Sequence, residues 1–264
     1  MLPLAQLAPK EARSLRGLLF DLDDTFLDHG RLHPTAYASL FEMREAGLEL
    51  VAVTGRPALW AELVCRQWPL SGAIAENGNL AFAPIDGRVR RLDPVAGAER
   101  ALRQQNLAKH CAELRRRFPD LVPTSDAVAR GSDFTFDIGE YVQVAPERVR
   151  EVMTAARQLG CCAERSSVHL HVTLDRHDKA TGSLRFLREH FGVDPTLARH
   201  RYAYVGDSEN DAPCFSAFHT TIGVRNLRGR PSMLPRFVTE GERSAGFVEL
   251  ARRLIQARSG QNQG

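Results

Sequence analysis

The chain has 264 residues, with 43% hydrophobic and 25% charged residues, fractions that are ordinary for a water-soluble globular protein. Its formal net charge of +3 is too small to indicate a nucleic-acid-binding surface, and no apolar run is long enough to span a bilayer. The five cysteines are irregularly spaced and form no CxxC pair, which favours a reducing compartment. We therefore expect a cytoplasmic protein without a nucleic-acid or membrane partner, either a monomer or a homodimer.

The first third of the chain alternates between buried strands and amphipathic helices. The predicted elements are a strand at 17–22, a helix at 34–46, a strand at 48–53, a helix at 58–67, a strand at 73–75 and a hairpin of 80–82 with 89–92. This β-α-β-α-β order predicts an α/β fold with a doubly wound, Rossmann-like parallel sheet.

The middle of the chain follows a different pattern, with alternating strands typical of an antiparallel sheet. We predict a helix at 97–118, strands at 133–138 and 140–145, a helix at 146–159 and a strand at 168–174. The α/β rhythm then returns with a helix at 179–191 and strands at 202–205 and 220–224. We therefore predict one core domain from residues 1–90 and 176–264, with a second, α+β domain inserted at 91–175.

Two carboxylates, Asp21 and Asp23, follow the apolar run Leu18-Leu19-Phe20. On an extended strand, residues two apart point to the same side, so both carboxylates are expected to reach one cation or one substrate atom. Ligands of open α/β sheets bind at the carboxyl ends of the strands, which is where this pair lies. The alternative is that Asp24 and Thr25 only cap a following helix.

Three further segments place polar groups at strand ends or helix starts. Thr54 ends the second strand and is followed by Gly55, Lys179 opens a helix, and Asp207 and Asp211 lie in the loop after the strand at 202–205. Each segment alone has a structural explanation: a strand end, a surface lysine or an Asn-Asp turn. Together, the carboxylates suit a hard cation such as Mg²⁺, and the hydroxyl, ammonium and helix N-terminus suit a phosphoryl group.

In order and spacing, these segments resemble the four motifs of the haloacid dehalogenase-like phosphohydrolases. They are Asp21-Leu-Asp-Asp-Thr, Thr54-Gly-Arg, Lys179 and Gly206-Asp-Ser-Glu-Asn-Asp211. The insertion, together with Glu76-Asn77-Gly78, resembles the C2-capped (type IIB) branch, which includes Cof-type sugar phosphatases, sucrose-phosphate phosphatase, mannosyl-3-phosphoglycerate phosphatase and phosphomannomutase. One position departs from that branch, because residue 24 is Asp where Gly is usual.

The resemblance implies a role for each matched residue. Asp21 is expected to be the nucleophile that forms an aspartyl phosphate, and Asp23 the acid and then the base. Thr54 and Lys179 are expected to hold the phosphoryl oxygens, and the other implied substrate contacts are Gly55, Arg56 and Asn77. Mg²⁺ is expected to be bound by Asp21, the backbone carbonyl of Asp23 and Asp207, with Asn210 or Asp211 in support.

The strand at 168–174 alternates, so that His169, His171 and Thr173 share one face. In C2-capped relatives that face looks towards the active site, which makes these three residues candidate substrate contacts. A solvent-facing sheet surface is an alternative, and a histidine metal site lacks a third ligand.

Three functions are compatible with these motifs. The first is a Mg²⁺-dependent phosphatase acting on a small phosphorylated metabolite such as a sugar phosphate or a phosphoglycerate conjugate. The second is a phosphomutase or phosphotransferase that passes the phosphoryl group to another hydroxyl. The third, a non-catalytic binding protein, conflicts with the presence of Asp21, Asp23, Lys179 and Asp207 together.

Overall fold

A computed structural model describes residues 1–166, 168–227, 229 and 231–259, and its strands form two sheets. In chain order the strands are β1 (Leu2–Pro3), β2 (Gly17–Phe20), β3 (Glu49–Val53), β4 (Gly72–Ala75), β5 (Leu80–Ile85), β6 (Arg88–Leu92), β7 (Val122–Pro123), β8 (Asp133–Asp137), β9 (Cys162–Arg165), β10 (His169–Thr173), β11 (Tyr202–Gly206), β12 (Thr220–Gly223) and β13 (Phe237–Val238).

The α-helices of the described residues surround these sheets. In chain order they are α1 (Pro9–Ser14), α2 (Pro34–Glu45), α3 (Ala58–Gln67), α4 (Gly97–Arg117), α5 (Pro146–Gln158), α6 (Lys179–Phe191), α7 (Pro195–Arg201), α8 (Ala212–Ala217) and α9 (Arg243–Ser259). None of the helices in the described ranges is long and apolar enough to cross a membrane.

The larger sheet has nine strands in the order β1-β13-β12-β11-β2-β3-β4-β5-β6. Neighbouring strands run parallel from β1 to β4, and β5 and β6 are added as antiparallel strands. Apolar side chains of α2, α3 and α9 pack on one face, and those of α6, α7 and α8 pack on the other. The predicted doubly wound α/β fold is therefore confirmed.

The smaller sheet has four strands in the order β7-β8-β10-β9, all antiparallel. Helices α4 and α5 cover one face of it with a separate apolar core that includes Leu114, Phe136, Val152 and Leu170. This α+β unit carries its own core, and we call it the cap. The domain boundaries at residues 90 and 176 stay a prediction.

Three details differ from the sequence-based expectation. Residues 140–145 form no strand, because the carboxylate of Asp137 accepts hydrogen bonds from the backbone N–H groups of residues 139–142 and folds them into a turn. Strand β9 was not predicted, since Cys162–Arg165 shows no alternating apolar pattern. The first strand ends at Phe20, before both aspartates.

Candidate active site

The centre of the site is an ion pair between two residues that are distant in the sequence. Lys179, the first residue of α6, is fully buried, and its Nζ lies 2.6 Å from Oδ1 of Asp21 and 2.7 Å from Oδ1 of Asp211. Asp21 directly follows β2, and Asp211 ends the turn after β11, so adjacent parallel strands bring them together. A buried ammonium between two carboxylates offsets the cost of burying these charges.

Asp207 directly follows β11 and is 1% exposed. Its Oδ1 accepts a hydrogen bond of 3.0 Å from the Thr25 hydroxyl, while its Oδ2 is buried and has no hydrogen-bond partner among the described residues. Ligand atoms of Asp21, Asp207 and Asp211 lie within 4.8 Å of one another. A buried carboxylate oxygen without a donor, beside two further carboxylates, fits a hard divalent cation.

Asp211 has little bonding capacity left. Its Oδ1 accepts from Lys179 and, at 2.5 Å, from the Tyr204 hydroxyl, and its Oδ2 accepts from the backbone N–H groups of Asp207 and Ser208 at 2.9 and 3.0 Å. A carboxylate offers about four acceptor positions, and here four donors occupy them. Asp211 therefore holds the loop and Lys179 in place, and Asp21 and Asp207 are better placed to bind a cation.

The site makes its acids hard to ionise in the absence of a cation. Burial raises the pKa of Asp21 to about 7, because it outweighs the opposing effect of Lys179. Burial also raises the pKa of Asp207 well above its usual range, and the nearby Asp21 and Asp211 add to this. Burial lowers the pKa of Lys179, but the two carboxylates outweigh it and leave that pKa above its ordinary value. A bound cation would relieve the repulsion among the carboxylates.

Asp23 lies in the same cleft as Asp21, although for a reason other than strand alternation. Both residues lie beyond β2, and residues 22–26 form a wide helical turn in which Asp23 has an extended backbone. The Asp23 carboxylate accepts two hydrogen bonds from Arg56, at 2.6 and 2.8 Å. The Arg56 guanidinium in turn lies 4.0 Å from the ring centre of Trp60. This bidentate contact holds the Asp23 side chain in one orientation.

Asp24 occupies a backbone conformation that glycine adopts without cost, with a φ of 57°. Its carbonyl accepts a hydrogen bond of 2.8 Å from Asn226, and its Oδ1 accepts one of 3.2 Å from Arg243. These contacts stabilise the left-handed conformation of an aspartate. The departure from the glycine usual in the branch therefore preserves the shape of this turn.

Thr54 and Gly55 bring the loop after β3 under the cap. Thr54 is fully buried, and its hydroxyl accepts a hydrogen bond of 3.1 Å from the backbone N–H of Arg56. A methyl group on Gly55 would lie only 3.1 Å from Oδ1 of Asn77 and 3.2 Å from Cε1 of His171. An alanine at this position would therefore force both side chains to shift by a few tenths of an ångström. Gly55 and Arg56 line the cleft, and Thr54 supports them from below.

Asn77 and Asn210 connect two of the loops. Asn77 has a φ of 54° in the turn after β4, and its Oδ1 accepts a hydrogen bond of 3.1 Å from Nδ2 of Asn210. Its own Nδ2 is buried without a hydrogen-bond partner among the described residues. Asn210 lines the cleft, whereas Asn77 lies behind it.

The cap contributes two of the three residues expected on its sheet face. His169 and His171 line the cleft together with Val168, which shows that the alternation breaks at the start of β10. His169 Nε2 lies 2.8 Å from a carboxylate oxygen of Glu140. Thr173 is buried, its hydroxyl donates to the carbonyl of Ser132, and it does not line the cleft. The structure therefore does not support Thr173 as a substrate contact.

Two charged residues that join the cap to the core were not predicted to matter. Arg130 is buried, and its Nη1 donates to the carbonyl of Gly55 at 3.0 Å and to both oxygens of Asp133. Glu76 accepts hydrogen bonds from the backbone of Ala58 in the core and from residues 131–133 in the cap. Glu76 belongs to a motif visible in the sequence, but Arg130 lies in an irregular segment that carries no pattern.

The cleft between core and cap has a volume of about 630 Å³ and opens to solvent. Its floor is formed by Asp21, Asp23, Gly55, Arg56, Ser208 and Asn210. Its roof is formed by cap residues that include Thr124, Asp126, Arg130, Glu140, His169 and His171. Most of these side chains are polar, which is typical of a site for a small hydrophilic ligand.

Comparison with known proteins agrees with this fold. Residues 18–91 match the family of haloacid dehalogenase-like hydrolases. Phosphoglycolate phosphatase of Methanothermobacter thermautotrophicus is 27% identical over 244 residues, which cover 91% of this chain and 99% of the relative. Phosphoglycolate phosphatase of Methanospirillum hungatei is 24% identical and covers 90% of this chain and 96% of the relative.

Solved structures share the whole fold. A Thermoplasma acidophilum protein aligns with a TM-score of 0.71 at 17% identity over 91% of this chain and 98% of its own. The sucrose-phosphatase of Synechocystis aligns with a TM-score of 0.62 at 15% identity over 91% and 98%. At these identities the likeness concerns the fold alone. The sequence motifs, the match of residues 18–91 and the capped α/β fold together show that this chain is an enzyme that resembles the haloacid dehalogenase-like hydrolases.

Proposed function

We propose that the protein is a Mg²⁺-dependent phosphatase that hydrolyses a small phosphorylated metabolite through a phosphoryl group carried on Asp21. The observation that carries this proposal is the position of Lys179 between Asp21 and Asp211, beside a carboxylate oxygen of Asp207 that lacks a donor. The proposed nucleophile, the lysine ammonium and the proposed metal ligands therefore lie together at one end of the parallel sheet.

In the first half of the reaction, a carboxylate oxygen of Asp21 attacks the phosphorus atom, and the bond between phosphorus and the leaving oxygen breaks. Lys179 holds Asp21 by a hydrogen bond of 2.6 Å and attracts the phosphoryl oxygens. Asp23, oriented by Arg56, donates a proton to the leaving oxygen.

In the second half, Asp23 takes a proton from water, and the water oxygen attacks the phosphoryl group on Asp21. The bond between Asp21 and phosphorus breaks, which releases inorganic phosphate and restores the carboxylate. The backbone N–H of Gly55 is available to the phosphoryl oxygens, because Gly55 lines the cleft and only the next N–H, that of Arg56, donates to the Thr54 hydroxyl.

Asp21 and Asp207 are the side chains that would hold Mg²⁺, and Asn210 and Asp23, which line the same cleft, are proposed to support it. The ion would supply positive charge to the phosphoryl oxygens. Oxygen ligands of this kind are those that Mg²⁺ prefers.

The substrate is proposed to bind between the core and the inserted domain at 91–175, whose residues form the roof of the cleft. Sugar phosphates and phosphoglycerate or phosphoglycolate esters are the first candidates, in line with the names of the relatives. We also propose a cytoplasmic location, which the five free cysteines support.

Phosphate release from an activated aryl phosphate tests the proposal. With Mg²⁺ the wild type should release phosphate and should carry acid-stable, hydroxylamine-sensitive phosphate after rapid quenching. Asp21→Asn and excess EDTA should each abolish release, and Arg188→Met, on the exposed side of α6, should not. Release that survives Asp21→Asn would contradict the proposed nucleophile, and a requirement for a sugar bisphosphate would favour a mutase.

A further inference from the structure

His171 is held in the roof of the cleft by a buried chain of polar contacts. Its Nδ1 lies 2.9 Å from Oδ2 of Asp133, and Arg130 Nη1 lies 3.0 Å from each Asp133 oxygen. His171 is 3% exposed and Asp133 is 6% exposed, so both are fixed by their surroundings. Arg130 also bonds the carbonyl of Gly55, which ties this chain to the core loop below it.

These contacts decide which ring nitrogen carries the proton. Burial raises the pKa of Asp133, but the charge of Arg130 and the bond from His171 outweigh it and leave that pKa below its usual range. Asp133 is therefore an ionised acceptor, and the proton of the His171 ring lies on Nδ1. Burial keeps the pKa of His171 below its ordinary value, so the ring is neutral near pH 7.

The other nitrogen, Nε2, is then an acceptor that faces the Gly55 loop. A methyl group on Gly55 would lie 3.4 Å from it, and no hydrogen bond joins Nε2 to any described residue. His171 lines the cleft. A substrate group that meets this nitrogen must donate a hydrogen, as a hydroxyl does and a carboxylate does not.

The charges around the cleft agree with this reading. The two guanidinium groups that line it are both paired: Arg56 with Asp23, and Arg130 with Asp126 and Asp133. The carboxylates of Asp24 and Glu140 also line the walls, where they lie beside Arg243 and His169. Among the described residues, the cleft therefore has no unpaired guanidinium that could bind a second anionic group of a substrate. A volume of about 630 Å³ also exceeds what a two-carbon ester requires.

We propose that Nε2 of His171 accepts a hydrogen bond from a substrate hydroxyl and that the cleft thereby selects phosphate esters of uncharged polyhydroxy compounds over esters that carry a carboxylate. The proposal rests on the phosphatase function proposed above. It assigns His171 as a specificity-determining residue, with Asp133 and Arg130 as positioning residues. It also separates this chain from relatives named for phosphoglycolate, a phosphate ester that carries a carboxylate.

Matched substrate pairs test the selectivity of the wild type. Glycerol 3-phosphate and 3-phosphoglycerate differ by a hydroxymethyl group against a carboxylate, and so do the open-chain pair glucitol 6-phosphate and 6-phosphogluconate. Phosphoglycolate completes the panel, and an aryl phosphate reports on the basic chemistry. We expect kcat/KM to be at least about tenfold higher for the uncharged member of a pair.

Variants at His171 test the residue. His171→Phe removes the acceptor and should lower kcat/KM for the preferred polyol phosphate, mainly through KM, by about tenfold more than it lowers kcat/KM for the aryl phosphate. His171→Gln retains an acceptor and should recover part of the loss. His110→Phe, on α4 and away from the cleft, is the matched control and should behave as the wild type.

The outcomes separate the two proposals. A preference for phosphate esters that carry a carboxylate would contradict the proposed selectivity but not the proposed phosphatase function. The same holds if the protein hydrolyses the aryl phosphate but none of the polyol phosphates. If His171→Phe shows the same substrate preference as the wild type, His171 does not determine the selectivity. If His171→Phe fails to fold, the substrate pairs measured on the wild type and on His171→Gln still test the proposal. Absence of all phosphate release, the aryl ester included, removes the phosphatase function and this inference with it.

Discussion

Lys179 and Asp21 are 158 positions apart in the chain, and their side chains meet at 2.6 Å with the lysine fully buried. The contact joins the start of α6 to the end of β2 and therefore links two segments that flank the whole cap. The same ammonium also bonds Asp211. The Lys179 ammonium thus orients the proposed nucleophile and neutralises part of a buried acidic cluster.

Lys179→Met should abolish most activity and also destabilise the fold. Loss of one charged group that stabilises a transition state lowers kcat by about 10²–10³-fold. Removing one partner of a buried ion pair costs about 3–5 kcal/mol, because the remaining carboxylates lose their counter-charge. Steady-state kinetics and chemical denaturation measure the two effects. Equal stability of Lys179→Met and wild type would show that the carboxylates do not depend on this lysine.

Removal of the metal should lower thermal stability as well as activity. Asp207 has a buried oxygen without a donor, and a cation that binds only the folded state raises Tm. We expect Mg²⁺ to raise Tm of the wild type and to leave Asp207→Asn nearly unchanged, as followed by differential scanning fluorimetry with and without EDTA. Asp194→Asn, at the exposed start of α7, should respond like the wild type. An identical Mg²⁺ shift in Asp207→Asn would rule out Asp207 as a ligand.

Gly55→Ala should reduce activity without unfolding the protein. The added methyl would lie 3.1 Å from Oδ1 of Asn77 and 3.2 Å from His171, so both side chains must move away from the loop. We expect kcat/KM to fall by about tenfold, since small displacements in an active site are costly. Gly97→Ala, where the methyl meets no atom within 4 Å, is the control and should be fully active. Full activity of Gly55→Ala would mean that the close approach has no functional consequence.

Glu164 should make the stability of the fold depend on pH. Burial raises the pKa of its carboxyl to about 7, and the nearby Asp178 adds to this. Between its unfolded pKa and pH 7 the folded state binds more protons than the unfolded state, so stability falls as pH rises through this range. Glu164→Gln removes the titration and should gain up to about 2–3 kcal/mol relative to wild type between pH 4.5 and pH 7.5.

Urea denaturation of both proteins across that pH range measures the difference. Glu151→Gln, on the exposed face of α5, supplies the comparison, because it removes a carboxylate that is not buried. A stability difference between Glu164→Gln and wild type that does not change with pH would show that Glu164 is solvated in the folded protein.

The sequence allowed the catalytic end of the sheet to be predicted because its signals are local. Strand periodicity places Asp21, Thr54 and Asp207 at the ends of β2, β3 and β11, and parallel strands must bring these ends together. The haloacid dehalogenase-like resemblance, now confirmed at the family level, added the chemical roles that spacing alone leaves open. Those roles stay a prediction for each residue.

Features that depend on contacts between distant segments could not be read in this way. The backbone turn around Asp137 replaces a strand because one carboxylate bonds four successive N–H groups, and alternation in the sequence gives no sign of it. The acceptor positions of the Asp211 carboxylate are filled only because Tyr204 and Lys179 both donate to it, and only the folded chain shows this. The same holds for Arg130, whose partners lie in both the cap and the core.

Glu76 has a consequence for how reactants enter and leave. Its carboxylate is fully buried and accepts hydrogen bonds from both sides of the boundary between core and cap. Swinging the cap away would break its hydrogen bonds from the backbone of residues 131–133, at a net cost of about 1.5–3 kcal/mol for each bond to a charged group. We therefore expect substrate and product to diffuse through the open entrance of the cleft while the cap stays in contact with the core. Mutations at that entrance should change the rates of binding and release without changing an equilibrium between open and closed positions of the cap.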